Sequence, residues 1–266
     1  MPRLAWLTDI HLNFLKGQAV YAFFDRIRDS DPDAVLLGGD IGEAHDVAFY
    51  LAELADVIQR PIYFVLGNHD FYRGSISAVR SAAGKLAVAQ PMLHWLPAAG
   101  VVALSPTTAL VGHDGWADGR LGDYQRSEIL LNDYLLIEEL NKHDKAGRLD
   151  LLHQLGDEAA DHFRKVLPPA LASHEHVIVL THVPPFREAC WHEGRISDEN
   201  WLPHMACKAV GDELRRIMLA YPHRRMTVLC GHTHSPGEAT ILPNLTVLTG
   251  ESVYGKPKIQ RLLEIP

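Results

Sequence analysis

The chain has 266 residues, 47% of them hydrophobic and 22% charged, which is ordinary globular composition with material for a substantial core. A formal net charge of -8 argues against a broad nucleic-acid surface, and no stretch approaches the ~20 apolar residues that a membrane span needs. Three cysteines, few and odd in number, point to reduced thiols and a cytoplasmic setting, and the apolar run after Met1 is too short for a signal peptide.

Residues 4–7 read as a buried strand that ends in Thr8-Asp9-Ile10-His11. Val20, Phe23, Phe24 and Ile27 then follow helical spacing, and Ser30-Asp31-Pro32-Asp33 breaks the helix. A second strand at 34–37 ends in Gly38-Gly39-Asp40, and Val47, Leu51, Leu54 and Ile58 mark a second helix. The third strand, 61–66, closes on Gly67-Asn68-His69-Asp70. An Asn, a His and an Asp have no packing reason to sit together after a strand. They offer a carbonyl ligand, an acid/base near neutrality and an anion. Strand, polar loop and helix in repetition predict parallel strands with helical crossovers, whose ligands sit beyond the carboxyl ends of the strands.

A helix is predicted over 75–90, then a hairpin pairing 101–104 with 108–111 and ending in Gly112-His113-Asp114-Gly115-Trp116. Residues 117–167 read as a mostly helical insertion, with one helix over 129–140 and a second carrying Leu152, Leu155, Ala159, Phe163 and Val166 and stopping at Pro168-Pro169. A strand at 177–180 ends in Thr181-His182. After a helix marked by Val210, Leu214, Ile217 and Met218, a strand at 227–230 ends in Gly231-His232-Thr233-His234, and short strands make up the tail.

Five strand ends therefore carry metal-type ligands: Asp9 and His11, Asp40, Asn68 and His69, His182, then His232 and His234. Asp-x-His and His-x-His put two side chains on one side of an extended segment. Carboxylate, imidazole and carboxamide without thiolate suit Mn, Fe or Zn. The ligands are too many for one tetrahedral ion, whereas two ions ~3.5–4 Å apart, with one carboxylate bridging, would use them all. Singly, each has a bland reading: Asp40 as a helix N-cap, His182 as a core histidine, Asp70 as a turn closure, Glu43 as a solvated acid at a helix start.

In this order the D-x-H, G-D, G-N-H-D, T-H and G-H-x-H motifs resemble those of the calcineurin-like metallophosphoesterases, from residue 9 to residue 234. The resemblance implies a single α/β domain over 1–266, a four-layer α/β/β/α sandwich of two mixed sheets flanked by helices. It implies two divalent or mixed-valence ions (Mn, Fe or Zn): Asp9, His11 and His234 hold one, Asn68, His182 and His232 the other, and Asp40 bridges. A hydroxide shared by the ions would attack phosphorus, with His69 stabilising the phosphoryl oxygens and protonating the leaving group. In the protein-phosphatase branch the second motif runs G-D-x-x-D-R-G, and its second Asp supports that His. Here Gly39-Asp40-Ile41-Gly42-Glu43-Ala44-His45 offers Glu43 as the supporting acid and lacks the Arg and Gly. The departure turns the expectation from protein phosphatase activity to small-molecule phosphodiesters or phosphomonoesters, cyclic nucleotides among them.

Asp70 joins His69 and Glu43 as a catalytic candidate; His113, Arg187, His192, Tyr72 and Arg73 are candidates for the substrate pocket. The expected partner is a small-molecule phosphoester, without membrane or nucleic acid, and the insertion is a candidate lid or subunit contact of a homo-oligomer. The alternatives are a non-catalytic scaffold of the same fold, which the complete ligand set opposes, and a nuclease, which the charge of -8 opposes.

Overall fold

Alternation along the strands sorts the apolar residues onto opposite faces, and the architecture follows from that sorting. The computed structural model describes residues 1–266. β1 (Arg3–Leu7), α1 (Gln18–Asp29), β2 (Ala34–Gly38), α2 (Val47–Ile58), β3 (Ile62–Val65), α3 (Ile76–Ala89) and β4 (Leu93–Trp95) realise the strand–helix repeat. A short α4 (Leu96–Ala99) leads to the antiparallel pair β5 (Val102–Ala103) and β6 (Thr108–His113). The insertion carries α5 (Asp133–Leu136), α6 (Glu138–Asn141) and the long α7 (Lys145–Ser173). Then come β7 (His176–Thr181), the small hairpin β8 (Trp191–His192) and β9 (Arg195–Ile196), α8 (Leu202–Met205), α9 (Lys208–Ala220), β10 (Arg225–Cys230), β11 (Gly237–Leu242), β12 (Leu245–Thr249) and β13 (Arg261–Glu264).

The strands form two mixed sheets, ordered β13-β1-β2-β3-β4 and β11-β12-β10-β7-β6-β5. In the first, β1 to β4 run parallel and β13 is antiparallel. Leu4 and Trp6 of β1, Ala34 and Leu36 of β2, and Ile178 and Leu180 of β7 meet in a core between the sheets. Ala5, Leu7, Val35 and Leu37 face the opposite way and pack against Phe23, Phe24 and Ile27 of α1 and Leu51 and Leu54 of α2. Val177, Val179 and Val228 likewise meet Phe163, Leu167, Val210 and Leu214 of α7 and α9. Helix, sheet, sheet, helix is therefore the layer order, as the motifs imply. No helix is long and apolar enough to cross a membrane.

Two local expectations are corrected, and β4 is a strand on which the sequence reading made no assignment. The helix expected over 129–140 is two single turns, α5 and α6, broken at Ile137, whose extended backbone bridges to Gly74. α7 does not stop at Pro168-Pro169 but runs through both to Ser173. An interior proline costs about 3 kcal/mol. Leu167, Ala170 and Leu171, fully buried on either side of the pair, offset it, since burying one Leu side chain contributes roughly 1.5–3 kcal/mol.

Candidate metal centre

The loops after β1, β2, β3, β7 and β10 converge at the carboxyl edge of the two sheets. Asp9, His11, Asp40, His232 and His234 all adopt the left-handed backbone, with φ of 51, 41, 53, 70 and 59°. Such values are uncommon outside glycine and cost on the order of 1–3 kcal/mol each, so strain is concentrated where the ligands turn inward. Glycine is required beside them for a different reason. A Cβ on Gly67 would lie 2.2 Å from Asp40 Oδ1, and one on Gly231 would lie 1.9 Å from Asp9 Oδ2.

The ligand atoms face one another. His11 Nε2 lies 3.2 Å from His234 Nε2 and 3.7 Å from Asp40 Oδ2, and His234 Nε2 lies 3.5 Å from Asp9 Oδ1. Ligand atoms of Asp9, His11, Asp40 and His234 all fall within 4.8 Å of one another. On the other side, Asn68 Oδ1 lies 3.0 Å from both His182 Nε2 and His232 Nδ1, and His182 Nε2 lies 3.4 Å from Asp40 Oδ1. Asp40 thus turns one oxygen to each group. His182 Nδ1 faces the Gly38 carbonyl at 2.9 Å and His232 Nε2 the His204 carbonyl at 2.9 Å. A carbonyl only accepts, so those nitrogens carry the protons and the inward nitrogens carry lone pairs.

This donor set fits two cations. Burial, then the neighbouring Asp9 and Asp70, pushes the Asp40 carboxyl well above its usual range. Burial holds His11 and His232 down at about 3. Two imidazoles held neutral close to a carboxyl that resists ionising leave an energetic defect that a bound cation would remove.

A cleft of about 230 Å³ opens over the cage. His69 lines it, stacked on the Tyr72 ring with centroids 4.2 Å apart. Burial, then His11, His182 and His234, pushes its pKa down to about 2, so the imidazole is neutral. Tyr72 and His192 also line the cleft. The other expected residues do not. Arg73 is paired with Glu43, which therefore faces that guanidinium and not His69. Arg187 is paired with Glu199. His113 is buried away from the cleft, accepting from the Gly115 amide at 3.1 Å and facing His162. Asp70 is fully buried and accepts from the amides of Ile41, Gly42 and Gly67 at 2.8–2.9 Å. It ties two ligand loops together and has no access to a substrate.

Sequence reasoning missed Asp133, Trp201 and Tyr254, which line the cleft from the insertion, the residue before α8 and the tail. Asp133 accepts from Asn68 Nδ2 at 2.8 Å and from the Tyr72 hydroxyl at 2.7 Å. None lies in one of the five motifs; only the fold brings them in.

A four-layer α/β/β/α sandwich with carboxylates, imidazoles and a carboxamide converging at its strand ends is the architecture of a metal-dependent hydrolase. More particularly, the chain belongs to the calcineurin-like phosphoesterase family, whose model matches residues 2–236. The fold is similar to that of phosphopantetheinyl hydrolase from Mycobacterium tuberculosis, with a TM-score of 0.65 and 13% identity, over 95% of this chain and 90% of that one. It is also similar to a dimetal phosphatase from Danio rerio, with a TM-score of 0.59 and 15% identity, over 97% and 90% of the two chains. No curated protein sequence gives a significant match.

Proposed function

We propose that this protein is a two-metal phosphoesterase that hydrolyses a small-molecule phosphodiester or phosphomonoester. The observation that carries the reading is Asp40, whose two oxygens face two separate ligand groups: His11 with Asp9 and His234, and His182 with Asn68 and His232. One group would serve a single structural ion; two sharing a carboxylate suit a pair. Mn, Fe or Zn fits the oxygen and imidazole donors, and two such cations supply an activated water at neutral pH and neutralise phosphoryl charge.

The chain's own residues do the rest. Asp9, His11 and His234 would hold one cation and Asn68, His182 and His232 the other, with Asp40 between the two groups. His69 stands at the cleft wall with no protein partner on its ring nitrogens. A phosphoryl anion in the cleft supplies the negative charge that favours its protonated form, and the imidazolium then gives its proton to the leaving oxygen. Glu43 and Asp70 act at a distance: Asp70 holds the loops of Asp40 and Asn68 in register, and Glu43 pairs with Arg73 outside the cleft.

Elemental analysis of the purified protein, with hydrolysis of bis-p-nitrophenyl phosphate and p-nitrophenyl phosphate, tests the reading. Two ions per chain are expected. His69→Ala is expected to keep both and to lose about 10²- to 10⁴-fold in kcat, the usual contribution of a positioned acid. A metal-free wild type, inactive after reconstitution with Mn, Fe and Zn, contradicts the reading and favours a non-catalytic scaffold. Steeply salt-dependent DNA binding would favour a nuclease.

A further inference from the structure

The two halves of the cage differ in charge. Asp9, His11 and His234 include a carboxylate of their own and share Asp40. Asn68, His182 and His232 are all neutral and share only that same carboxylate.

They differ also in what stands behind them. Asp133 at the start of α5 is 4% exposed, and its Oδ1 accepts from both Asn68 Nδ2 and the Tyr72 hydroxyl. The carboxamide is thereby fixed with its oxygen toward His182 and His232. A carboxylate accepting from the amide N–H also draws electron density toward the amide oxygen, which makes it a stronger ligand. The next residue reaches the same half. The Tyr134 hydroxyl lies 2.5 Å from His204 Nδ1, and Ser127 Oγ lies 2.8 Å from His204 Nε2. Two insertion residues thus grip the His204 ring, and the His204 carbonyl orients His232. The insertion is also fastened to the loop that carries Asn68. The Arg73 amide donates to Leu136 at 2.8 Å, the Glu138 amide to Gly74 at 3.0 Å, and the Ile76 amide to the Glu139 carboxylate at 2.9 Å. The side chains of Asp9, His11 and His234 make no hydrogen bond to the insertion.

We infer that the insertion governs occupancy of one half of the cage. Asp133, through Asn68, and Tyr134, through His204 and His232, are positioning residues for the second cation. The inference rests on the two-metal reading above.

Titration of the metal-free, full-length protein with Mn²⁺ by calorimetry tests it, with electron paramagnetic resonance to distinguish a spin-coupled pair from an isolated ion. Wild type is expected to bind two ions. Asp133→Asn keeps the size and an acceptor oxygen but removes the charge. Its first binding step is expected to stand, and its second to weaken about 10- to 100-fold, the usual cost of losing a partner behind a ligand. The isolated-ion spectrum should then appear at metal levels that couple the pair in wild type, and more Mn²⁺ should restore the coupling. Tyr134→Phe, which removes one hydroxyl, should weaken the same step by a smaller factor, and it decides the matter if Asp133→Asn does not fold. Equal weakening of both steps, or of neither, overturns the inference while leaving the two-metal reading standing. A wild type that binds fewer than two ions overturns both.

Discussion

Single residues carry more than one kind of information here. Every expected ligand converges on the cage, because each sits directly after a strand, where chain direction alone delivers it to the same edge. The substrate candidates were harder to place. Arg73, Arg187 and His113 follow or precede polar loops just as the ligands do, but each has a nearer partner: Glu43, Glu199 and the Gly115 amide. A charge in a loop is satisfied by whatever the fold brings first, and sequence spacing does not record that. His176 gives a prediction at this scale. It is half-buried, bonded through Nε2 to Thr227 Oγ1 at 2.9 Å, and burial together with Arg225 lowers its pKa from 6.5 to about 4. The unfolded chain therefore takes up the proton first as pH falls. The contribution to stability is whole above pH 6.5 and is lost as pH falls through 4. Gln at 176 can keep the bond to Thr227 without titrating. The gap in unfolding midpoint between wild type and His176→Gln should move against wild type between pH 7 and pH 4; parallel curves would contradict the assignment.

Elements were legible where periodicity was strong. β1 to β3, α1, α2 and α9 lie within a few residues of where alternation and helical spacing put them. Two failures came from tertiary override. Ile137 is pulled extended by pairing with Gly74, which splits a Leu-rich run that would otherwise continue as helix. At Pro168-Pro169 the reverse holds: local chemistry says stop, and packing carries α7 onward. Pro169 is exposed, so its replacement removes no core contact. Pro169→Ala restores an amide that can donate to the Lys165 carbonyl four residues earlier. The gain of up to about 3 kcal/mol in helix propensity outweighs the ~0.4–1 kcal/mol lost as the unfolded chain becomes freer. A rise in the unfolding midpoint is expected, and a fall would show that the proline ring itself is part of the packing.

At the scale of the whole molecule, three hydrophobic cores set two sheets face to face, and the site forms where their strand ends meet. Asp9, Asp40 and Asn68 come from the first sheet and His182 and His232 from the second, so neither sheet alone holds a complete ligand group. Position along a strand could be read from the sequence. The joining of the two sheets followed only from the resemblance of the motifs, because alternation says which residues are buried and not which sheet buries them. The insertion was the least legible region, since Asp133 and Tyr134 act through contacts more than sixty residues away.

The most direct measurement is anomalous diffraction from crystals of the protein grown or soaked with Mn²⁺. Two peaks are expected, one among Asp9, His11 and His234 and one among Asn68, His182 and His232, with Asp40 touching both. A single peak, or a peak away from Asp40, would contradict the account.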